Sequence, residues 1–289
     1  MLRALQSGVS GIQQFQNRLD VIGNNIANSN TIAFKAARTD FADAFSQTLQ
    51  VSSASSSGAG QAGMQVGSGV STSAVKNIFT QGALNRTGVG TDLAIDGDGF
   101  FVVTDPVSGT EYVTRAGDFR LDSNNYLITN KGLRLQGFNA ANNTSSGARG
   151  DIQIDANLAP ATTSPTATMT TFSISRDGSI NVHMSDGTQF MRAQLLLQRF
   201  SDPQALLKEG DNLYSGIASA GPLGGATPVA AAPNTNGLGG IESSALELSN
   251  VDLANEFANL ISTQRGFQAC ARIITTSDEI LQELVNLKR

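Results

Sequence analysis

Apolar residues recur at steps of three and four at both ends of this chain, and at steps of two through its middle. Near the N-terminus Leu2, Leu5, Val9, Ile12, Phe15, Leu19, Ile22 and Ile26 form one stripe. That spacing is a single face of an α-helix. The opposite face is nearly uncharged, with Gln13, Gln14, Gln16, Asn17, Asn24 and Asn25. Residues 2–28 would extend about 40 Å as a helix. Near the C-terminus Leu253, Phe257, Leu260, Gln264, Phe267, Ala271, Ile274, Asp278, Leu281 and Val285 alternate steps of four and three. This predicts a heptad seam with polar interruptions at Gln264 and Asp278. Ser249 or Asn250 is the expected N-cap, Asp252 and Glu256 lie near the positive end of the helix dipole, and Lys288 and Arg289 near its negative end. Residues 251–287 would run about 55 Å. Periodicity leaves two arrangements open, a terminal hairpin on one globular domain or a bundle shared among subunits. Helix length and scarcity of charge favour the bundle.

Between these ends the pattern is that of strands. Residues 94–104 contain Phe100, Phe101, Val102 and Val103, and short alternating runs follow at 111–115, 118–122, 126–129 and 133–138. Asp96-Gly97-Asp98-Gly99, Ser123-Asn124-Asn125 and Asn130-Lys131-Gly132 separate them as turns. A second set covers 172–175, 180–184 and 191–199, with hairpin signals at Asp177-Gly178 and Asp186-Gly187. Ser/Ala/Gly-rich residues 51–63 and Gly/Ala/Pro-rich residues 216–240 read as connectors. The expected fold class is α+β, with N- and C-terminal helices around a central antiparallel β domain built from two chain halves.

Composition narrows the function. Only 15% of the 289 residues are charged, against about 25% in an average domain. Such a surface suits a subunit that meets other copies on many sides, where buried charges would need partners. A secreted protein with a Ser/Thr-rich surface is the alternative. The net charge of −5 argues against nucleic acid. Cys270, the one cysteine, excludes an internal disulfide framework and a Cys-built zinc site. No run is apolar enough to insert in a membrane. Polar residues from Gln6 to Gln14 break any secretory signal, so the chain is expected to stay inside the cell or leave by a route without a cleaved signal.

Reactive groups are sparse. His183, the sole histidine, sits in an alternating run and reads as a solvent-facing strand residue. No G-x-S-x-G elbow is present. Ser73-Ala74-Val75-Lys76 matches S-x-x-K, but in strand context and without its companion elements. The Asp96–Gly99 string lacks the further ligands of a calcium loop. Cys270 reads as a small apolar filler of the last helix. No catalytic, metal or cofactor site is expected, and no enzymatic activity.

Specific strings do point somewhere. Residues 21–35, Val-Ile-Gly-Asn-Asn-Ile-Ala-Asn-Ser-Asn-Thr-Ile-Ala-Phe-Lys, resemble the N-terminal signature of flagellar rod and hook proteins, carried by Asn24, Asn25, Ala27, Asn28, Thr31, Phe34 and Lys35. Residues 91–101 resemble their core motif through Asp92, Gly97, Gly99, Phe100 and Phe101. Residues 249–253, 263–268 and 274–282 resemble their C-terminal signature, with Asn250, Gln264 and Arg265. Phe41-Ala42-Asp43-Ala44-Phe45, Phe79-Thr80-Gln81-Gly82 and Leu135-Gln136-Gly137-Phe138 look hook-like, while the shortness of residues 140–170 looks like a distal rod protein. The resemblance points to a short hook protein, a flexible universal joint of the bacterial flagellum, with the distal rod as the alternative. A secreted adhesin and a hydrolase are the readings from other classes.

The resemblance implies an inner coiled-coil domain from residues 1–35 and 250–289, connecting segments at 36–70 and 216–249, and a β domain at 71–215. In the polymer Leu2, Leu5, Val9, Ile12, Leu19, Ile26, Leu253, Phe257, Leu260, Phe267, Ile274 and Leu281 would make the helix contacts. Implied partners are further copies of the chain, distal rod, hook cap and hook–filament junction proteins, and the type III export gate. Phe41 and Phe45 resemble an export-gate recognition element, and equally fit two core residues on one helix face. The resemblance implies an extracellular location without a cleaved signal peptide. The terminal segments are expected to order only on assembly, because isolated helices are marginal.

Overall fold

The computed structural model describes residues 2–50, 52, 63–139, 149–155, 163, 167–221 and 231–287, with side chains from Leu5 onward. Most of the predicted connector 51–63, part of 216–240 and part of 140–170 lie outside the described residues, as do the Leu2 side chain, Lys288 and Arg289. The chain divides into two compact units. One comprises Met1–Ser29, Ala36–Ile78 and Val251–Arg289, the other Asn30–Lys35 and Phe79–Asn250.

The first unit holds two long helices, α1 (Leu2–Ala27) and α2 (Leu253–Leu287), and four strands. Helix α2 is capped by Asp252, whose Oδ1 accepts from the backbone N–H groups of Ala254 at 2.9 Å and Asn255 at 3.3 Å. The expected cap Asn250 instead donates its side-chain amide to Thr80 Oγ1 at 2.9 Å. Strand β1 (Ala37–Asp43) pairs antiparallel with β4 (Val70–Asn77), with a bulge between Asp40 and Phe41; β2 (Ser46–Gln50) pairs with β3 (Met64–Gly67). Residues 36–70 thus carry strands, although 37–43 shows little β propensity. Pairing with the β-branched run of β4 supplies what local sequence does not. Asn25 of α1 fixes the start of β1 by exchanging two hydrogen bonds with the Ala37 backbone, at 2.8 and 3.0 Å.

The second unit is a predominantly antiparallel β structure. Its strands are β5 (Leu84–Arg86), β6 (Leu93–Asp96), β7 (Phe100–Thr104), β8 (Glu111–Thr114), β9 (Arg120–Leu121), β10 (Leu127–Ile128), β11 (Arg134–Phe138), β12 (Arg149–Asp151), β13 (Met169–Ile174), β14 (Ser179–Met184), β15 (Gln189–Leu195), β16 (Leu197–Gln198), β17 (Leu207–Gly210), β18 (Leu213–Ser215), β19 (Gly240–Ser243) and β20 (Ala245–Glu247). Among the described residues the main sheet runs β13-β14-β15-β11-β7-β8-β18-β17, and β6–β19 and β5–β20 form separate pairs. Both Asp-Gly strings become the predicted hairpin turns, joining β13 to β14 and β14 to β15, with Gly178 and Gly187 at positive φ.

Strand β7 is buried on both faces. Alternation sends Phe101 and Val103 into one core with Leu135, Ile180 and Leu195, and Phe100 and Val102 into a second with Phe200 and Tyr214. Gly97 precedes it at φ +116°, where a Cβ would stand 2.9 Å from Gly239 Cα. In the second core the Tyr214 ring lies edge-on to Phe79 and Phe100, with centroids 5.6 and 6.2 Å apart.

Burial pushes the Tyr214 phenol up to about 12; Arg115 opposes the rise and Glu247 adds to it. An unfolded tyrosine ionises near 10. Between those values the native state keeps a proton that the unfolded chain has released. The contribution is therefore full below pH 10 and lost as pH rises toward 12. Urea unfolding across this window should show about 2–3 kcal/mol of alkaline destabilisation from this group, and Tyr214→Phe should flatten the slope.

Candidate functional site

The two helices of the first unit pair antiparallel through a seam of small residues. A Cβ on Gly8 would lie 3.3 Å from Ile274 Cγ1, one on Gly11 2.9 Å from Cys270 Sγ, and one on Gly266 2.7 Å from Phe15 Cζ. Each glycine leaves a hole that a side chain of the facing helix enters. On α2 the seam consists of Leu260, Phe267, Ile274 and Leu281 in one column and Thr263, Cys270 and Ser277 in the next. The buried hydroxyls bond within their own helix, Thr263 to Asn259 O at 2.6 Å and Ser277 to Ile273 O at 2.7 Å.

The predicted seam is therefore half right. Leu260, Phe267, Ile274 and Leu281 face α1, but Leu253, Phe257, Gln264, Asp278 and Val285 face away. Close approach at the glycines leaves room for Thr, Cys and Ser and none for a second column of large side chains. On α1, Leu5, Ile12, Leu19 and Ile26 are half-buried and Ile22 is buried, while Val9 is exposed and Gly8 and Gly11 take the inner positions. As a result α2 carries an outward apolar set of Leu253, Phe257, Ile261, Ile280, Leu284 and Val285, with Phe257 51% and Val285 66% exposed.

Phe41 lies on β1, its ring 6.2 Å from Phe15 and beneath the Arg18 guanidinium at 5.9 Å. Phe45 follows the strand and is 79% exposed. No helix covers 41–45, so the reading as two core residues on one helix face fails. His183 is half-buried on β14, its Nε2 3.3 Å from Ser173 Oγ. Lys76 of the S-x-x-K string pairs with Asp40 at 3.0 Å on exposed sheet. No group of three His, Cys, Asp or Glu residues is arranged to hold a metal, and no helix is long and apolar enough to cross a membrane, among the described residues.

The end of the N-terminal signature forms a strap in the second unit. Ala33 N–H donates to Glu247 O at 2.8 Å, Asn212 Nδ2 to Ile32 O at 2.6 Å, and Asn250 N–H to Phe34 O at 3.4 Å. Phe34 is buried under Lys208, whose Nζ is 4.0 Å from the ring centroid. Lys35 and Glu247 are fully buried side chains that pair at 2.7 Å. Lys35 Nζ also donates to Thr80 O at 2.7 Å, and Glu247 Oε1 accepts from Gly82 N–H at 2.8 Å. Arg115, also buried, stands 3.6 Å from Glu247 Oε2. Burial lowers the Lys35 pKa; Glu247 resists the shift and Arg115 adds to it.

The other signature residues divide by role. Phe100 and Phe101 fill the two cores, Gly97 and Gly99 hold positive φ, and Asp92 accepts from Thr87 Oγ1 at 2.5 Å. Asn28 donates to Asn24 O at 2.9 Å, and Thr31 is half-buried. Asn24, Ala27, Gln264 and Arg265 are exposed. Sequence reasoning passed over Gly8, Gly11, Arg115, Asn212 and Glu247. The alternation at Ala245-Leu246-Glu247-Leu248 was the available signal, since it places Glu247 on the same face as buried Ala245.

Three family models match in chain order: flagella basal body rod protein over residues 5–35, the flagellar hook protein FlgE/F/G D1 domain over 94–182, and flagellar basal body rod FlgEFG protein C-terminal over 242–287. The chain is 42% identical over 290 residues to the flagellar basal-body rod protein FlgG of Bacillus subtilis (strain 168), with 100% of each covered. The chain belongs to the flagellar rod and hook protein family. FlgG of Borreliella burgdorferi is 32% identical over 292 residues, again with 100% of each chain covered. The flagellar hook protein FlgE of the same organism is 28% identical, over an alignment of 449 residues. This is a family of structural proteins of the flagellum. Its two terminal models cover the helix pair, and between them they include both Lys35 and Glu247.

Two variants test this geometry. A Cβ at residue 11 would lie 3.8 Å from Cys270 Cβ, the mean separation in disulfides. Gly11→Cys should therefore close an intrachain disulfide with Cys270 under mild oxidation, seen as loss of free thiol and faster migration on a non-reducing gel. Glu247→Gln leaves two buried cations without their carboxylate and should cost about 3–5 kcal/mol in urea unfolding.

Proposed function

We propose that this chain is a subunit of the distal rod of the bacterial flagellum, polymerising with its own copies into a stiff tube that carries motor torque outward. The observation that carries the reading is the end-to-end match with proteins named FlgG, while the hook protein matches only across a much longer alignment. This favours the rod over the short hook protein expected from the motifs. The hook remains the second reading, because the FlgE/F/G model over 94–182 covers hook and rod proteins alike.

Physical features agree with a polymer. The outward apolar residues of α2 gain about 25 cal/mol for each Å² removed from water. The β2–β3 hairpin exposes Leu49, Met64 and Val66, and an isolated two-stranded ribbon is marginal in water without cover. In the tube, α1 and α2 of the helical unit pack against those of neighbouring copies, and residues 79–250 with the 30–35 strap supply the β unit. Val9, Phe257 and Leu253 contact neighbouring copies there, as do Gln264 and Arg265. Copies arrive through the type III export gate, which engages Phe45 and Phe41 while the chain is unfolded, and they meet the other axial proteins at the rod tip outside the cell.

Electron microscopy of deletion cells, alongside polymers of the purified protein, tests this. Truncated rods and straight, stiff tubes are expected. Complete rods lacking hooks, with curved tubes from the protein, would transfer the assignment to the hook.

A further inference from the structure

An isolated aromatic ring stands in solvent on the first unit, and an aromatic hole lies open in the second. Phe45 is 79% exposed, the most exposed phenylalanine among the described residues. Its backbone is nevertheless fixed. Ala44 N–H donates to Gly69 O at 2.8 Å and Ser68 N–H to Phe45 O at 3.0 Å, which pins the step between β1 and β2 to the opposite arm of the hairpin. A ring on so ordered a support has little backbone freedom left to lose on docking. Phe257, the other exposed phenylalanine, differs, since it lies with Leu253 and Ile261 on a broad helical face.

The hole, about 230 Å³, has Phe79, Phe100 and Phe200 as walls, and Arg199, Ser201 and Pro203 also line it. Phe100 stands edge-on to both other rings, with centroids 5.6 Å apart in each case. Phe79 is half-buried and Ser201 exposed, so the described residues leave the hole open to solvent. A cavity of about 150 Å³ already holds benzene, so this one admits a phenyl ring, and a fourth ring can pack edge-on against the three walls.

Charge selects the same two surfaces. Asp43, two residues before Phe45, is exposed and has no ion-pair partner among the described residues. At the hole, the Arg199 side chain is 42% exposed, and its carboxylate neighbour Asp98 is 3.7 Å away, beyond hydrogen-bond length. The segment that carries the ring therefore carries an anion, and the hole that accepts a ring carries an under-used cation. Two different patches that meet in this way make a head-to-tail contact, which repeats from copy to copy into an open helix.

We propose that Phe45 of one copy seats in the hole walled by Phe79, Phe100 and Phe200 of a second copy, with Asp43 beside it on Arg199. The inference rests on the polymer reading and names one contact that would build the tube.

Two pairs of variants test it, with monomer melting to confirm that each one folds. Purified protein keeps assembly apart from export. Phe45→Ala empties the hole, and Ser201→Trp fills it from its own chain. Each should raise the critical concentration for polymerisation about tenfold. The double variant should be no worse than either single one, because both remove the same contact. Asp43→Arg and Arg199→Asp should each raise it about tenfold, and the two together should bring it back toward the wild-type value. Multiplying effects in the Phe45 and Ser201 double variant, or no rescue in the charge-reversed one, overturns the contact. A loss with Ser201→Trp and none with Phe45→Ala gives the hole another occupant and overturns it too. Tubes that form equally well from every variant overturn the contact and leave the polymer standing. If the wild type forms no tubes, the polymer reading falls and this inference falls with it.

Discussion

The buried pair of Lys35 and Glu247 is the constraint on which the second unit depends. Neither charge can be left alone in an apolar interior, so each residue fixes the other. Lys35 ends the strap that follows α1, and Glu247 ends β20, just ahead of α2. One ion pair thus binds two segments 212 residues apart in sequence. Thr80 and Gly82, which follow β4, give it their backbone groups. Of the four places where the chain passes from one unit to the other, three lie within a few residues of this network, at Lys35, Thr80 and Glu247. A hydrophobic contact would hold such segments with less directional precision.

The helical unit solves a different problem with glycine. Gly8, Gly11 and Gly266 let the helices approach closely, so that Phe15, Cys270 and Ile274 fill the gaps. The larger apolar side chains of α2 are left on its outer side. A helix pair closed by large residues would have spent its apolar surface internally. This one keeps Phe257, Ile261 and Leu284 for other contacts, which is what a subunit of a polymer requires.

Much of the fold was legible in the sequence. Both helices follow from period and length, and both Asp-Gly turns follow from the conformational freedom of glycine. The burial of β7 on two faces is written in Phe100-Phe101-Val102-Val103. What escaped has common causes. A search for apolar columns misses a seam made by glycine, threonine, cysteine and serine, and so it chose the column of Phe257 and Val285 over that of Thr263 and Ser277. Buried charges read as surface, which hid Glu247 and Arg115. Strand β1 depends on its partner β4, and the spacing of Phe41 and Phe45 looked helical because four residues span a helical turn.

The order of segments in the two units has a consequence in time. The helical unit is assembled from three separated stretches of chain, the last beginning at Val251, and the β unit from two, the first being only Asn30–Lys35. A chain threaded from its N-terminus would hold Lys35 long before Glu247 appears, and α1 before α2. Contacts so distant in sequence form slowly. Neither unit can close around its first residues until Glu247 and α2 have followed, so this topology would keep a chain threaded in that order extensible until its C-terminal segments arrive.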